Sequence, residues 1–348
     1  MGPHLYQRHE KTYLQRYPAY LKPRTMMSPG LYLRQHLLQP TSPAPLAVLR
    51  IGTAAIALIQ VICLWLDIPL LYGQMGLVQW GLSNGIVYSH FPRLSWLLPL
   101  ANTLGCHPDT CVYALVIIYT GSLLGLLLGK FTRYMALIAW WLHFMLISTG
   151  FLGAYGVETF LHIALVYCVA MPVAHTASRD ARYRPPAIPH SNYTLALRIL
   201  QAHLCVIYLA SGIEKAMGTQ WWNGEAIWQT LMQTQFSAWN MSWLSQYPWI
   251  ARIICWSTLL VEIGYPVWMC IPRLRRYGYA ATVSLHLAIA VFMGLQLFAA
   301  MMILLNTAAW GWPYLAPAID HWQRKRHSLR LQHIGAIATS ACCHTEEA

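Results

Sequence analysis

Tyr208-Leu-Ala-Ser-Gly-Ile-Glu-Lys215-Ala-Met-Gly-Thr-Gln-Trp-Trp222-Asn-Gly224 closes a long apolar run, sets a lysine at its end and opens onto a tryptophan-rich segment. Such a junction is where a membrane-spanning helix reaches the lipid–water boundary, because Trp concentrates where headgroups meet acyl chains. The composition around it agrees. Of 348 residues 57% are hydrophobic and 10% charged, with 16 Trp and 20 Tyr, and the mean hydropathy is +0.42. A soluble domain carries about 25% charged residues, so the solvent of this chain is lipid. Its net charge of +12 does not mark a nucleic-acid binder. The Lys and Arg fall in short loops between apolar runs, the placement that encodes orientation in a bilayer.

Residues 1–44 carry Arg8, Lys11, Arg16, Lys22, Arg24 and Arg34 against Glu10, with no apolar h-region of a cleavable signal peptide. They read as a basic cytoplasmic tail ended by Pro40, Pro43 and Pro45. Spans are expected at about 46–71, 111–128, 134–154, 157–173, 195–215 and 249–271. Arg50, near the inner end of the first span, is expected to snorkel to headgroups. Residues 72–109 are too broken by Gly and Pro to cross and read as re-entrant or interfacial. Segment 216–248 holds Trp221, Trp222, Trp228, Trp239, Trp243 and Glu225 without Lys or Arg, which suits the outer interface. Residues 277–315 exceed one helix across a ~30 Å core, and Gly294-Leu-Gln296 could split them. The alternative is one long tilted helix with an outside C-terminus. The expected fold class is an all-α integral membrane protein, a polytopic helical bundle of about eight transmembrane helices within 45–317. Its N- and C-termini are cytoplasmic, its Trp-rich interfacial helices lie on the outer face, and 318–348 forms a second basic cytoplasmic tail.

Nine cysteines give no disulfide framework. Cys63, Cys168, Cys205, Cys255 and Cys270 read as small buried hydrophobes, and Cys106 and Cys111 could pair in an oxidising compartment. Cys342, Cys343 and His344 form a metal-like trio on the tail, but no metal is expected.

Candidate chemistry gathers near the outer ends of the fourth and fifth spans. Glu158 and His162 are four residues apart on one helix face, and Tyr208, Ser211, Gly212 and Lys215 share another. With the deeper His143, His203, Glu262, His286, Gln296 and Asn306 they could build one polar pocket opening outward. Each also has a plain reading. A lysine at a helix end snorkels, a helix histidine is a hydrogen-bonded core residue, and Gly212 beside Ser211 lets helices approach. Glu262, if midspan, costs roughly 2.5–3.5 kcal/mol and calls for a cation or a proton. The functional reading makes Lys215 a base, an amine kept neutral in a water-poor site walled by Gly and Trp. There is no G-x-S-x-G, H-E-x-x-H or phosphate loop, and no pair of broken helices of the transporter kind.

The opening stretch resembles the signature of the horizontally transferred transmembrane (HTTM) domain: an aromatic, Ser-Gly-Ile-Glu-Lys215, then Trp222 and Gly224. Leu49-Arg50-Ile-Gly52, Tyr155-Gly-Val-Glu158, Glu262 with Tyr265-Pro266, Pro272-Arg-Leu-Arg275, His286 and Phe298 resemble further parts, so the likeness spans about 46–317. This domain is the membrane portion of vitamin K-dependent γ-glutamyl carboxylase. The resemblance implies that Lys215 is the base toward a reduced quinone like vitamin K hydroquinone, with Glu158 and His162 as further catalytic residues. Tyr208, Ser211, Gly212, Trp221, Trp222 and His286 would surround that cofactor. There are departures. Glu158 stands about where the carboxylase has a histidine, with His162 one turn deeper. About 31 residues follow the last span in place of a large β-rich portion, so carboxylase-like propeptide recognition is not expected. The expected function is a membrane enzyme, for example in a bacterial inner membrane, modifying a peptide or small molecule at the outer face. The first alternative is a non-catalytic component of a peptide-toxin maturation or immunity system, and the second is a transporter. The expected partners are the lipid bilayer and that substrate, with no nucleic acid.

Overall fold

A computed structural model describes residues 38–236 and 239–317. The chain divides into two units, Met1–Gln39 and Pro40–Ala348, and only 38 and 39 of the first are described. Most of the expected tail at 1–44, all of the tail at 318–348 and the Cys342-Cys343-His344 trio lie outside the described residues.

Among the described residues no strand forms, and eight helices reach eleven residues or more. They are α1 (Ala44–Leu64), α2 (Pro108–Leu128), α3 (Thr132–Thr149), α4 (Gly156–Ala170), α5 (Ser191–Met217), α6 (Pro248–Cys270), α7 (Arg275–Met293) and α8 (Gln296–Asn306). Each expected span corresponds to one of them within a few residues. Four are long and apolar enough to cross a bilayer: α1 with its continuation to Tyr72, α2, α5 and α6. The chain is therefore an all-α integral membrane protein. Its rim carries exposed Ile62, Leu66, Val206, Leu260 and Val267, a surface suited to acyl chains and not to water.

Local chemistry sets the boundaries. The Ser42 hydroxyl accepts the Ala44 N–H at 3.2 Å at the start of α1. Pro108 occupies the first turn of α2, where a missing N–H costs nothing, and His107 Nδ1 accepts the Asp109 N–H. Gly294, at φ +71°, stops α7 two residues before α8 begins, so 277–315 is two helices and not one long one. The linker 72–109 forms short helices at Trp80–Ile86 and Leu98–Leu104, and the Trp-rich linker forms Thr219–Asn223 and Glu225–Met232. In the packing, α1 touches α2, α4 and α8, while α5 pairs with α6 and α6 with α7. Helix α8 with the π-helical turn Thr307–Gly311 joins the two groups, touching α1, α4 and α7 while the turn reaches α5.

Arg50 does not snorkel. It is 0% exposed. Its Nη1 donates to the carbonyls of Leu126 at 2.5 Å and Leu127 at 2.8 Å, Nε to Val173 at 3.2 Å and Nη2 to Ala177 at 2.5 Å. The first two carbonyls belong to the last turn of α2, where the helix dipole is negative, and Leu126 O otherwise has the Gly129 N–H at 3.1 Å. The backbone completes that cap: Lys130 N–H reaches Gly125 O, Arg179 N–H reaches Leu128 O and Asp180 N–H reaches Gly129 O. Gly129, at φ +66°, has no room for a Cβ against Ser178 and Arg50. Next to it Phe131 adopts φ +50°, a left-handed conformation unfavourable for a non-glycine residue. Asp180 holds it there, accepting the N–H groups of Phe131 and Thr132, both at 2.9 Å, and the Thr132 hydroxyl at 2.7 Å.

Two outcomes are expected. Arg50→Ala removes four hydrogen bonds, leaving the Leu126 carbonyl only its Gly129 N–H, and should lower unfolding stability in lipid nanodiscs by about 3 kcal/mol or more. Arg50→Lys, which keeps charge without the planar fork, should recover only part of that loss. Burial works against the Asp180 charge, but the donors on Thr132 and Phe131, and then Arg184, outweigh it and hold the carboxyl below the ordinary aspartate range. Its stabilisation is thus complete above the ordinary aspartate pKa and disappears as pH falls through the depressed folded value. Unfolding midpoints followed from about pH 6 to about pH 2 should show this loss in wild type and not in Asp180→Asn.

Candidate functional site

Lys215 points inward. Its Nζ donates to Glu262 Oε2 on α6 at 2.7 Å and to Ser211 Oγ, one turn earlier on α5, at 2.5 Å. The Trp221 ring lies 5.5 Å from the ammonium and covers its outer side. Glu262 thereby has the cation that its burial demands. Glu214, next to Lys215 in sequence, is exposed and takes no part in this pair.

One turn deeper the α5–α6 seam continues as stacked Tyr208 and Tyr265, with ring centroids 4.1 Å apart. Hydrogen bonding here has a direction. Asn306 Nδ2 donates to the Tyr208 oxygen at 2.9 Å, so the Tyr208 hydroxyl hydrogen is left for His286 Nε2 at 2.6 Å. Tyr265 donates to Asn306 Oδ1 at 2.6 Å. His286 is then a neutral ring with its proton on Nδ1, and that buried atom has no partner among the described residues.

A second cluster lies among α1–α4. Glu158 caps α4: its Oε2 accepts the Tyr155 N–H at 2.8 Å, and Oε1 accepts Gln60 Nε2 at 2.8 Å. His162 Nε2 accepts Trp140 Nε1–H at 3.0 Å, which leaves its Nδ1–H for His143 Nδ1 at 3.4 Å. Phe298 stands between the clusters. It closes on Gly156, where a Cβ would meet the ring at 2.7 Å, and contacts His286 at 5.8 Å between centroids.

The polar residues expected to share one outward pocket therefore fall into separate groups. Lys215 joins Ser211 to Glu262, against which Gly212 packs; Tyr208 joins His286 to Asn306; Glu158 meets Gln60 and His162 meets His143. His203 pairs with Tyr167, apart from the seam, and Gln296 is exposed. The ring of Trp222 does not face Lys215. Its Nε1 caps the Ala216 carbonyl at 2.8 Å, and the ring is exposed. Gln60, Tyr72, Tyr119 and Trp140 were not singled out from sequence. A glutamine inside an apolar run was a usable signal for Gln60, whereas aromatics in apolar runs carry none.

These positions decide how a quinone ring would fit. A Cβ at Gly212 would meet Ile263 and Glu262 at 2.8–3.0 Å, so no ring fits between α5 and α6 there. The Trp221 side remains, where Lys215 keeps 25% of its side chain exposed. On that side Trp221, Lys215 and Ser211 are the groups a planar guest would meet.

Among known proteins, the sequence matches the family model of the HTTM domain over residues 38–310. No curated protein and no solved structure matches it.

The ion pair makes a direct prediction. Lys215→Met or Glu262→Gln alone leaves the other group without its partner and should lower the unfolding midpoint. The double substitution should cost less than the sum, with a coupling of about 1–3 kcal/mol in a thermal-unfolding double-mutant cycle.

Proposed function

The chain belongs to the HTTM domain family, and on that premise we propose that it is a membrane enzyme in which Lys215 and Glu262 together move a proton at the bilayer surface. The substrate class is a peptide or lipid-soluble small molecule, with a reduced quinone as co-reactant. The observation that carries this reading is the 2.7 Å Lys215–Glu262 contact beneath Trp221. Bound there, a reduced quinone would supply reducing equivalents and an ionisable hydroxyl.

Ammonium–carboxylate and amine–carboxylic acid are two states of one short hydrogen bond, and a low-dielectric setting narrows the gap between them. When Glu262 holds the proton, Lys215 is a neutral amine able to accept another from a hydroxyl at the Trp221 face. Ser211 orients Nζ, and Trp221 keeps water from that side. Tyr208, Tyr265, Asn306 and His286 act as positioning residues, locking α5 and α6 in register one turn below. Gly212 allows the close helix approach, and Trp222 anchors the helix end. Glu158 and His162 sit in the other cluster, and this proton transfer gives them no step.

The proposal extends to topology. We place about eight spans in the bilayer, as in a bacterial inner membrane, with both termini cytoplasmic and the Trp-rich linker outside. Support comes from charge: Lys130, Arg133, Arg179, Arg182, Arg184, Arg273, Arg275 and Arg276 fall in the turns after α2, α4 and α6 or in the helix starts that follow. A second reading, a non-catalytic maturation or immunity component, is favoured by one fact: Lys215 and Glu262 already satisfy each other.

The deciding assay supplies reduced quinone, oxygen and bicarbonate to nanodisc-embedded protein. Wild type should oxidise the quinone, and Lys215→Ala and Lys215→Arg should each lose activity by about 100-fold or more while remaining folded. Arg is included because it keeps charge and cannot give up its proton. An inert wild type leaves the non-catalytic reading standing.

A further inference from the structure

Glu158 is an incomplete site. It is 7% exposed, and its partners are the Gln60 amide and the Tyr155 N–H at the start of α4. Both donors and the positive end of the helix favour a carboxylate, yet no described Lys or Arg lies within ion-pair distance of it. Burial of an unpaired charge is costly, and Glu262 shows how the same fold answers that cost when a cation is present.

Space adjoins this carboxylate. A cavity of about 150 Å³ lies between Glu158, Tyr72 and the exposed loop at 152–155. Glu158 and Tyr72 also line a separate recess of about 30 Å³ bounded by Tyr119 and His143. The Tyr119 hydroxyl lines the recess, is 2% exposed and has no hydrogen-bond partner. A buried hydroxyl left unpaired is unusual and points to a missing partner. Glu158, Gln60 and Tyr72 line both spaces, and Tyr119 and His143 line the recess; the carboxylate and the phenol oxygens can accept hydrogen bonds, and the Tyr rings favour a cation.

We propose that the Glu158 cavity binds a small primary ammonium compound, its nitrogen among Glu158, Tyr72 and Tyr119 and its short apolar body against Leu64 and Ile147. An ammonium group offers three N–H donors and the missing positive charge. A cavity of about 150 Å³ holds a guest of benzene size, which sets the upper limit on the apolar body. The site shares no residue with the Lys215 seam.

The test uses the full chain in nanodiscs, with n-butylammonium as probe, 1-butanol as neutral isostere and sodium chloride as ionic control. Butylammonium should raise the unfolding midpoint saturably, and 1-butanol and sodium chloride should not. Glu158→Gln removes the charge while its amide oxygen can still accept the Tyr155 N–H and its NH2 can donate to a flipped Gln60 amide, and it should weaken butylammonium by about tenfold or more. Tyr119→Phe gives up no hydrogen bond in the free protein, so it should fold normally and still bind butylammonium more weakly. Equal stabilisation by butanol, no stabilisation by butylammonium, or unchanged affinity in Tyr119→Phe overturns the proposal. So does unchanged affinity in a folded Glu158→Gln.

Discussion

Arg50 brings a permanent charge into the interior of a lipid-facing bundle, and much of the architecture follows from where that charge is met. Its guanidinium reaches the last turn of α2 and the segment 173–177 after α4. Backbone oxygens without donors are poorly tolerated in a membrane, and this guanidinium donates to four carbonyls at once. One side chain thus satisfies a helix end, fixes α1 beside α2 and draws in the loop that leads to α5. Gly129 is required because the guanidinium and Ser178 fill the space a side chain would take. Asp180 then holds Phe131 in its left-handed conformation, so α3 leaves the corner in the direction that lets it pack on both α2 and α4.

The two buried glutamates show two solutions to one problem. Glu262 faces α5 and meets the ammonium of Lys215. Glu158 faces α1 and meets an amide, a backbone N–H and a helix N-terminus. The first is a matched ion pair closed across the α5–α6 seam. The second keeps unmet capacity beside a cavity. Phe298 keeps the two apart by closing on Gly156 and His286, so each retains its own partners and its own access.

Helix positions and the break at Gly294 were legible in the chain, because each follows from local pattern: apolar runs of helix length, a turn glycine, proline at helix starts. The family was legible too, from the stretch around Lys215 and the scattered matches that accompany it. The need for a counter-charge at Glu262 could be read from its place in an apolar run.

Which group supplies that counter-charge could not. Lys215 and Glu262 are 47 residues apart, and Arg50 meets its carbonyls across 76 to 127 residues. Helical periodicity says which residues share a face, but it leaves open how each helix is turned about its axis. Rotation is chosen by close packing at points such as Gly212, Gly156 and Gly129, where the absence of a Cβ brings two segments into contact. The amino-acid sequence by itself therefore determined the helices and the residues that needed partners. Only the tertiary packing decided who the partners are, separating an expected single pocket into a lysine–glutamate seam and a glutamate-lined cavity.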